Sequence, residues 1–262
     1  MHPELRIALV QMMCEKGAIQ QNLARILQVL EEAAARGVEI ICFPEMSLTG
    51  YIDPTKQPEA VLALDGPEVE QLLQRTAAYS AILLVGLVEH NPLGKPFITQ
   101  IVARQGKLLG YYRKVTIIDE EAEWFSPGEG TAVFQHGGLT YGLAICADMH
   151  NDAVFAACSQ QGARIVFELA APGLYGEQAT RDWQSGFAWW DGECQELFSK
   201  YAREHGIWIA VATQAGRTVD EDFPGGGYLF APDGERVHAT PDGSEGVEYL
   251  QINLETGLVR KI

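Results

Sequence analysis

The chain opens with a strand-helix-strand pattern, and this pattern constrains the fold more than any other feature. Residues 5–10 and 38–43 are short apolar runs typical of buried strands. Between them, residues 18–35 repeat apolar side chains at helical spacing, with charged side chains on the other side. A helix of this kind covers one face of a sheet, so the opening predicts a layered structure of helices and strands.

The same mixture continues along the chain. A helix that begins at Pro67 leads to a strand at 82–88, and glycine-containing turns at 105–106 and 137–138 each separate two apolar runs, which predicts hairpins. No linker or change in composition divides the chain, so we expect one domain over residues 1–262. The later predicted elements are hairpin strands at 97–103, 108–112, 132–135 and 139–145, a helix at 152–161, a strand at 165–169, a helix at 193–205, a strand at 207–213 and two strands around the turn at 232–234.

The acidic balance of the sequence excludes two classes of partner. Nineteen Lys and Arg residues against 35 Asp and Glu residues give a formal net charge of −16 at pH 7. Such a chain repels phosphate backbones and anionic lipid surfaces. We therefore expect neither nucleic acid nor a membrane as a partner.

The sequence also predicts a protein without membrane spans, a secretion signal or disulfide bonds. The longest apolar stretch, residues 81–88, is far shorter than the roughly 20 residues that cross a bilayer. The first residues show no basic leader followed by a long apolar segment, so the expected location is the cytoplasm. The five cysteines are an odd number without CxxC spacing, which predicts free thiols rather than disulfides or a zinc knuckle.

Three polar side chains follow closely after predicted strands. They are Glu45, Lys114 and Cys146. Side chains at strand ends project from a rigid sheet into the loops, where sites are usually built. At the start of a helix and near an ammonium group, the Cys146 thiol is expected to have a lowered pKa and to act as a nucleophile. Taken singly, however, the two charged residues are equally typical of a protein surface and the cysteine of a core.

Three short motifs favour the catalytic interpretation. The segments 43–45 (FPE), 112–114 (YRK) and 142–148 (GLAICAD), in this order, resemble the carbon-nitrogen hydrolase (nitrilase) superfamily, and the resemblance covers nearly the whole chain. It implies an α/β fold with mixed sheets, built as a four-layer αββα sandwich, and a homodimer or larger homo-oligomer. It also implies a small-molecule substrate and no metal or organic cofactor.

The resemblance assigns a role to each motif residue. Cys146 would attack the carbon of an amide, and Glu45 would carry the thiol proton to the departing amine and then activate the water that cleaves the thioester. Lys114 and the backbone N–H of Ala147 would stabilise the oxyanion. Glu121, which precedes a Phe-Ser-Pro-Gly turn, would be the family's second glutamate and would orient Lys114 or the substrate.

Some positions leave alternatives open. Glu120 and Glu123 lie close enough to Glu121 in the sequence to be the second glutamate instead. Ala147 stands where family members commonly carry an aromatic residue, and the next arginine after it is Arg164. These departures leave the shape of the pocket open.

Residues 171–192 are the predicted wall of the pocket. They have no assigned element and contain three tryptophans, and long loops inside compact domains are often functional. From Glu168 to Glu193, acidic side chains stand against a single arginine, Arg181. An acidic pocket that favours cationic or neutral substrates is one interpretation, and a solvated acidic loop is the other. Glu168, at a strand end, and Tyr51 are the candidate substrate-binding residues.

Four functions remain open at this point. The leading one is a small-molecule amidase that forms a thioester on Cys146. A nitrilase would use the same three residues through a thioimidate. A catalytically silent binding protein could share the scaffold, but such a protein has no chemical reason to keep these three polar side chains together, which favours an enzyme. An unrelated cysteine hydrolase would need a histidine base, for which His150 and His205 are the candidates.

Asp148, His150 and Asp152 alternate in a way that suggests metal ligands. The six histidines of the chain otherwise form no cluster, and metal sites usually draw ligands from several elements. The start of a helix, with Asn151 or Asp152 as its N-cap, is the preferred interpretation, and no metal site is predicted.

Overall fold

The computed structural model describes residues 4–262, so the first three residues of the segment examined for a secretion signal lie outside the described residues. Most of the described strands belong to two large sheets. The mixed α/β architecture predicted from the sequence is confirmed.

The first sheet grows from the strand-helix-strand opening. Its central strands β1 (Glu4–Gln11), β2 (Ile40–Cys42) and β3 (Ile82–Glu89) pair in parallel, and every other pair in this sheet is antiparallel. The order across the sheet is β15 (Val259–Lys261), β14 (Gly246–Asn253), β1, β2, β3, β4 (Phe97–Arg104) and β5 (Lys107–Arg113).

The second sheet repeats this design with six strands. The order across the sheet is β13 (Arg236–Ala239), β12 (Gly227–Phe230), β9 (Trp208–Thr213), β8 (Ile165–Ala170), β7 (Leu139–Ile145) and β6 (Val133–His136). Its centre is again parallel, because β7, β8 and β9 are connected through helices, whereas its outer pairs are antiparallel. A separate small hairpin contains β10 (Ala215–Arg217) and β11 (Asp222–Pro224).

Helices cover the outer faces of both sheets. In the described part of the chain, α1 (Ile19–Ala35) and α2 (Pro67–Thr76) pack on the first sheet, and α4 (Asp152–Gln160) and α5 (Trp183–His205) pack on the second. The short helix α3 (Glu121–Trp124) and two 3₁₀ helices at Pro58–Ala60 and Cys146–His150 lie outside these layers.

Three apolar cores separate four layers. Alternate side chains of β1 enter different cores: Ile7 and Leu9 pack between the two sheets, whereas Ala8 and Val10 pack beneath α1 and α2. The third core lies between the second sheet and the pair α4 and α5. Because both faces of the central strands are buried, these strands are continuous apolar runs. The layer order is the four-layer αββα sandwich that the family resemblance implied.

The helix α5 corrects the sequence prediction. The predicted helix began at 193, whereas the observed helix begins at Trp183, so half of the segment expected to be a loop is helical. Asp182 caps its first turn by accepting a hydrogen bond from the N–H of Gln184 at 3.0 Å. Tryptophan and glycine are weak helix formers, and this stretch contains three tryptophans and two glycines, which hid the helix.

None of the helices within residues 4–262 is both long and apolar enough to cross a bilayer.

Candidate active site

Glu45 lies on a loop that leaves the end of β2 and crosses β3. The loop passes directly over Gly86, where a Cβ atom would lie 2.3 Å from the backbone nitrogen of Met46. The N–H of Gly86 donates to the Ser47 hydroxyl at 3.0 Å and fixes the loop from below. Glu45 is therefore held by the first sheet and is fully buried.

Lys114 joins the two glutamates. It follows β5, and its Nζ lies 2.9 Å from Oε1 of Glu45 and 2.7 and 2.8 Å from the two carboxylate oxygens of Glu121. The second oxygen of Glu45 accepts from the N–H of Ala171 at 3.1 Å, and the Tyr51 hydroxyl donates to Glu121 at 2.6 Å. The Lys114 ammonium and these two further donors hold both carboxyl groups in place.

Of the three glutamates considered for the second position, Glu121 is the one that contacts Lys114. It is buried at the start of α3, whereas Glu120 and Glu123 are exposed. The sequence separation alone could not distinguish them, because the short helix decides which side chain faces the lysine.

Cys146 comes from the second sheet. It follows the last residue of β7 and has a φ of 45°, a left-handed conformation that is rare for a residue with a side chain. The turn is held by Asp148, whose buried carboxylate accepts from the N–H of Ile145 at 3.0 Å, the N–H of Thr116 at 2.9 Å and the hydroxyl of Tyr112 at 2.8 Å. Asp148 thus fixes the cysteine turn relative to the strand that carries the lysine.

These contacts remove Asp148 from any metal site. In the described part of the chain, the group of side chains with ligand-type geometry is Asp152, Glu204 and His205, which lies at the protein surface. His205 contacts Asp152 at 2.6 Å and belongs to that surface pair, whereas His150 lines the cavity beside Cys146.

Burial dominates the protonation of the site. It raises the pKa of Glu45 to about 7, although the Lys114 charge opposes this shift. Burial would lower the pKa of Lys114, but the charges of Glu45, Cys146 and Glu121 outweigh it and raise that pKa above its usual range. The lysine therefore stays charged at every working pH.

The expectation of a lowered thiol pKa is wrong. Burial, reinforced by the charge of Glu45, raises the pKa of Cys146 well above its usual range, and the opposing Lys114 charge does not compensate. The ammonium group is already shared by two carboxylates. The thiol therefore stays protonated in the free site, with a carboxylate nearby that can accept its proton.

A cavity of about 420 Å³ opens onto these residues. Lys114, Glu121 and Cys146 form part of its wall together with Tyr51 and Ala147. The Ala147 N–H belongs to the first turn of the 3₁₀ helix, where N–H groups have no partner within the helix. One cavity wall thus combines a thiol, the Glu121 carboxylate, an ammonium group and a backbone donor, and the buried Glu45 contacts that ammonium group.

The structure does not place Glu168 in this wall, which corrects its proposed contact with substrate. It is fully buried on β8, on the same side of the strand as Val166 and Ala170, which pack beneath the outer helices. Neither of its carboxylate oxygens has a hydrogen-bond partner. Burial, reinforced by the charges of Asp148 and Glu45, raises the pKa of Glu168 well above its usual range.

The sequence reasoning missed several residues of the cavity wall. Tyr175 and Trp189 come from the segment predicted as pocket wall, and Glu193 directly follows it. The sequence did not predict that Trp189 and Glu193 lie on one helix and that all three side chains line the same cavity. Their spacing carried a signal, because Trp189 and Glu193 are four residues apart and share one face of a helix.

A family model described as carbon-nitrogen hydrolase matches residues 6–259. A glutamine-dependent NAD(+) synthetase of Acinetobacter baylyi is 24% identical over 98% of this chain and 46% of its own length. An omega-amidase of Xenopus tropicalis is 27% identical over 96% of this chain and 90% of its own length. The solved structure of an amidase from Nesterenkonia sp. AN1 superimposes with a TM-score of 0.78 at 23% identity, over 95% of this chain and 90% of that one.

The relatives differ in how much of them this chain represents. It spans less than half the length of the NAD(+) synthetases that it matches and about nine-tenths of the omega-amidase.

Proposed function

The chain belongs to the carbon-nitrogen hydrolase family, and on that premise we propose that it hydrolyses small, non-peptide amides through a thioester on Cys146. The observation that supports this most strongly is the meeting of two sheets at one cavity: Lys114 from the first sheet and Cys146 from the second line its wall, and the buried Glu45 contacts both side chains. Burying several charged groups destabilises a fold unless another role favours them. Contact of these charged groups with a thiol supports a catalytic role.

The first step is attack on the amide carbon. Because the thiol is protonated in the free site, Glu45 takes its proton as Sγ forms the bond to carbon, and the carbonyl oxygen becomes an oxyanion. The Lys114 ammonium and the Ala147 N–H stabilise that oxyanion, each worth about 3 kcal/mol where such donors have been removed from other enzymes. Glu121 keeps the ammonium in place.

The second step releases the amine and then the acid. The C–N bond breaks as Glu45 gives its proton to the departing nitrogen, which leaves ammonia or an amine and a thioester. Glu45, again a carboxylate, takes a proton from water as the water oxygen attacks the thioester carbon. Collapse of this second intermediate returns the proton to sulfur and frees a carboxylic acid, so the site ends as it began.

The relatives support a cysteine nucleophile and an amide substrate. In a mutant of the amidase from Nesterenkonia sp. AN1, the acetamide moiety of fluoroacetamide is added covalently at the active-site cysteine, so that cysteine reacts as a nucleophile. Two omega-amidases match at least 95% of this chain, and an (R)-stereoselective amidase matches 62% of it. Amide hydrolysis is the reaction that these names share.

Replacement of the proposed nucleophile tests this function. We expect purified, folded Cys146→Ser to release ammonia from simple aliphatic amides at least about a thousandfold more slowly than the unchanged protein. Cys14→Ala is the matched control, because Cys14 is a buried free thiol beneath α1, away from the cavity. Full activity in Cys146→Ser would contradict the proposal.

A further inference from the structure

The cavity carries more negative charge than its catalytic groups need. Five carboxylates line it, from Asp119, Glu120, Glu121, Glu193 and Glu221. Lys114 is the one lysine or arginine among the described lining residues, and the remaining ionisable cation is His150 at the exposed edge. The wall is therefore strongly acidic close to the reacting thiol.

Two of the five carboxylates have an ion-pair partner within the protein. Glu121 is held by Lys114, and Glu221 forms a salt bridge of 2.9 Å with Lys16. In the part of the chain that the structure describes, the other three have no ion-pair partner. Their charge is available to a ligand.

The unpaired carboxylates come from two separate elements that line the cavity. Asp119 and Glu120 lie just before α3, which carries Glu121. Glu193 lies on α5, and it follows Trp189 by four residues and therefore shares a helix face with it. A group bound in the cavity would meet negative charge from both elements.

Aromatic rings complete the outer part of the cavity. Tyr175 and Trp189 pack edge to face, with ring centroids 6.4 Å apart, and both are exposed. By contrast, the neighbouring Trp190 is buried and donates its Nε1–H to the Thr213 hydroxyl, so its role is structural. Exposed aromatic faces beside unpaired carboxylates form a favourable environment for an organic cation.

We propose that the preferred substrates are amides with a positively charged group, such as a primary ammonium, at the end remote from the reacting carbonyl. This inference rests on the proposed function, because it assigns the carbonyl end to Cys146. Glu193 and the pair Asp119 and Glu120 neutralise the cation, and Trp189 and Tyr175 offer their ring faces to it. A carboxylate at the same end is repelled by the same groups.

Three amides of equal chain length test the proposal. They are 5-aminopentanamide, which is cationic, hexanamide, which is neutral, and the monoamide of adipic acid, which is anionic. We expect kcat/KM for the cationic amide to exceed that for hexanamide by about tenfold or more and the anionic amide to be the poorest substrate. The preference should decrease at high salt, because salt screens partly exposed charges.

A variant pair locates the effect on α5. In Glu193→Gln, the ratio of kcat/KM between the cationic and the neutral amide should fall about fivefold to tenfold, mainly through a higher KM for the cation. Glu196→Gln removes the same charge from an exposed position of the same helix outside the cavity, and its ratio should equal that of the unchanged protein.

The outcomes separate the two proposals. Hexanamide hydrolysed as fast as the cationic amide, or a ratio unaffected by Glu193→Gln, overturns the substrate preference and leaves the amidase function in place. Failure to hydrolyse all three amides, with no covalent adduct on Cys146, overturns the proposed function itself.

Discussion

At the scale of single residues, the site depends on which group holds a proton. Burial keeps the Cys146 thiol protonated and brings the pKa of Glu45 to about 7, so a carboxylate and a thiol coexist near neutral pH. This pairing suits a carboxylate base that acts during attack better than a preformed thiolate.

The pH profile distinguishes these two mechanisms. Since the raised pKa of Glu45 is about 7 and its charged form is the base, activity should be present above pH 7 and decline about tenfold per pH unit below it. The measurement is kcat/KM for hexanamide, which has no ionisable group, between pH 5 and 10. A profile that continues to rise above pH 9 would instead indicate a thiolate that forms independently of Glu45.

The sequence places Glu45, Lys114 and Cys146 together where position along a strand is enough, although their catalytic roles stay predictions. Each follows a strand, and β5 runs in the same direction as β2 and β3 because β4 pairs antiparallel with both β3 and β5. The prediction that Glu168 lines the pocket failed because β8 is buried on both faces. The apolar pattern of such a strand does not show which side chains face which layer. The contact of Glu121 with Lys114 depends on a helix of four residues, too short to predict.

At the scale of elements, one glycine in β3 sets the position of the Glu45 loop. Gly86→Ala would place a Cβ atom 2.3 Å from the Met46 nitrogen and 2.7 Å from the Pro44 oxygen. We expect a loss of about 1 to 3 kcal/mol in the free energy of unfolding and a fall in kcat of at least about tenfold, because the loop must shift.

The control for this prediction is Gly246→Ala. Gly246 begins β14, and a Cβ atom there would meet nothing within 4 Å. Its activity should be unchanged and its stability within about 0.5 kcal/mol of the original. Urea unfolding and amide hydrolysis of both variants are the measurements, and equal behaviour of the two would show that Gly86 does not hold the loop.

The helix α5 shows the limit of prediction at this scale. Its second half was predicted from apolar spacing, whereas the first half was hidden by residues that favour neither helix nor loop strongly. The capping aspartate Asp182 was the local signal that sequence reasoning did not use. Without the first half of this helix, the shared face of Trp189 and Glu193 could not be seen.

At the scale of the whole molecule, the proposed catalytic groups come from both sheets. Glu45 and Lys114 depend on the first sheet and Cys146 on the second, and an apolar core joins the sheets. The sequence predicts one domain, and the site lies where its two sheets meet. We therefore expect activity to be lost when the two sheets no longer pack together.

Equilibrium unfolding in urea tests this consequence. Four of the five tryptophans lie in α5 or β9, so tryptophan fluorescence follows the second sheet and its helix. We expect the midpoints of fluorescence and of hexanamide hydrolysis to coincide, as in a two-state transition. Activity lost at a clearly lower urea concentration than the fluorescence change would show that the site is lost while the second sheet and its helix are still folded.

Assembly and location concern the whole molecule as well. The homodimer or larger assembly and the cytoplasmic location stay predictions. Sedimentation at micromolar concentration would establish the first, and it should precede any comparison of activities between variants, because stability depends on assembly.

The central claim is that substrate becomes bonded to Cys146. Its most direct measurement is mass spectrometry of the intact protein and of its peptides after acid quenching, during incubation with amides, nitriles and carbamoyl compounds. We expect an acyl adduct with at least one amide, mapped to Cys146 and missing in Cys146→Ser. Amide turnover with no adduct, or an adduct mapped to another residue, would contradict the claim.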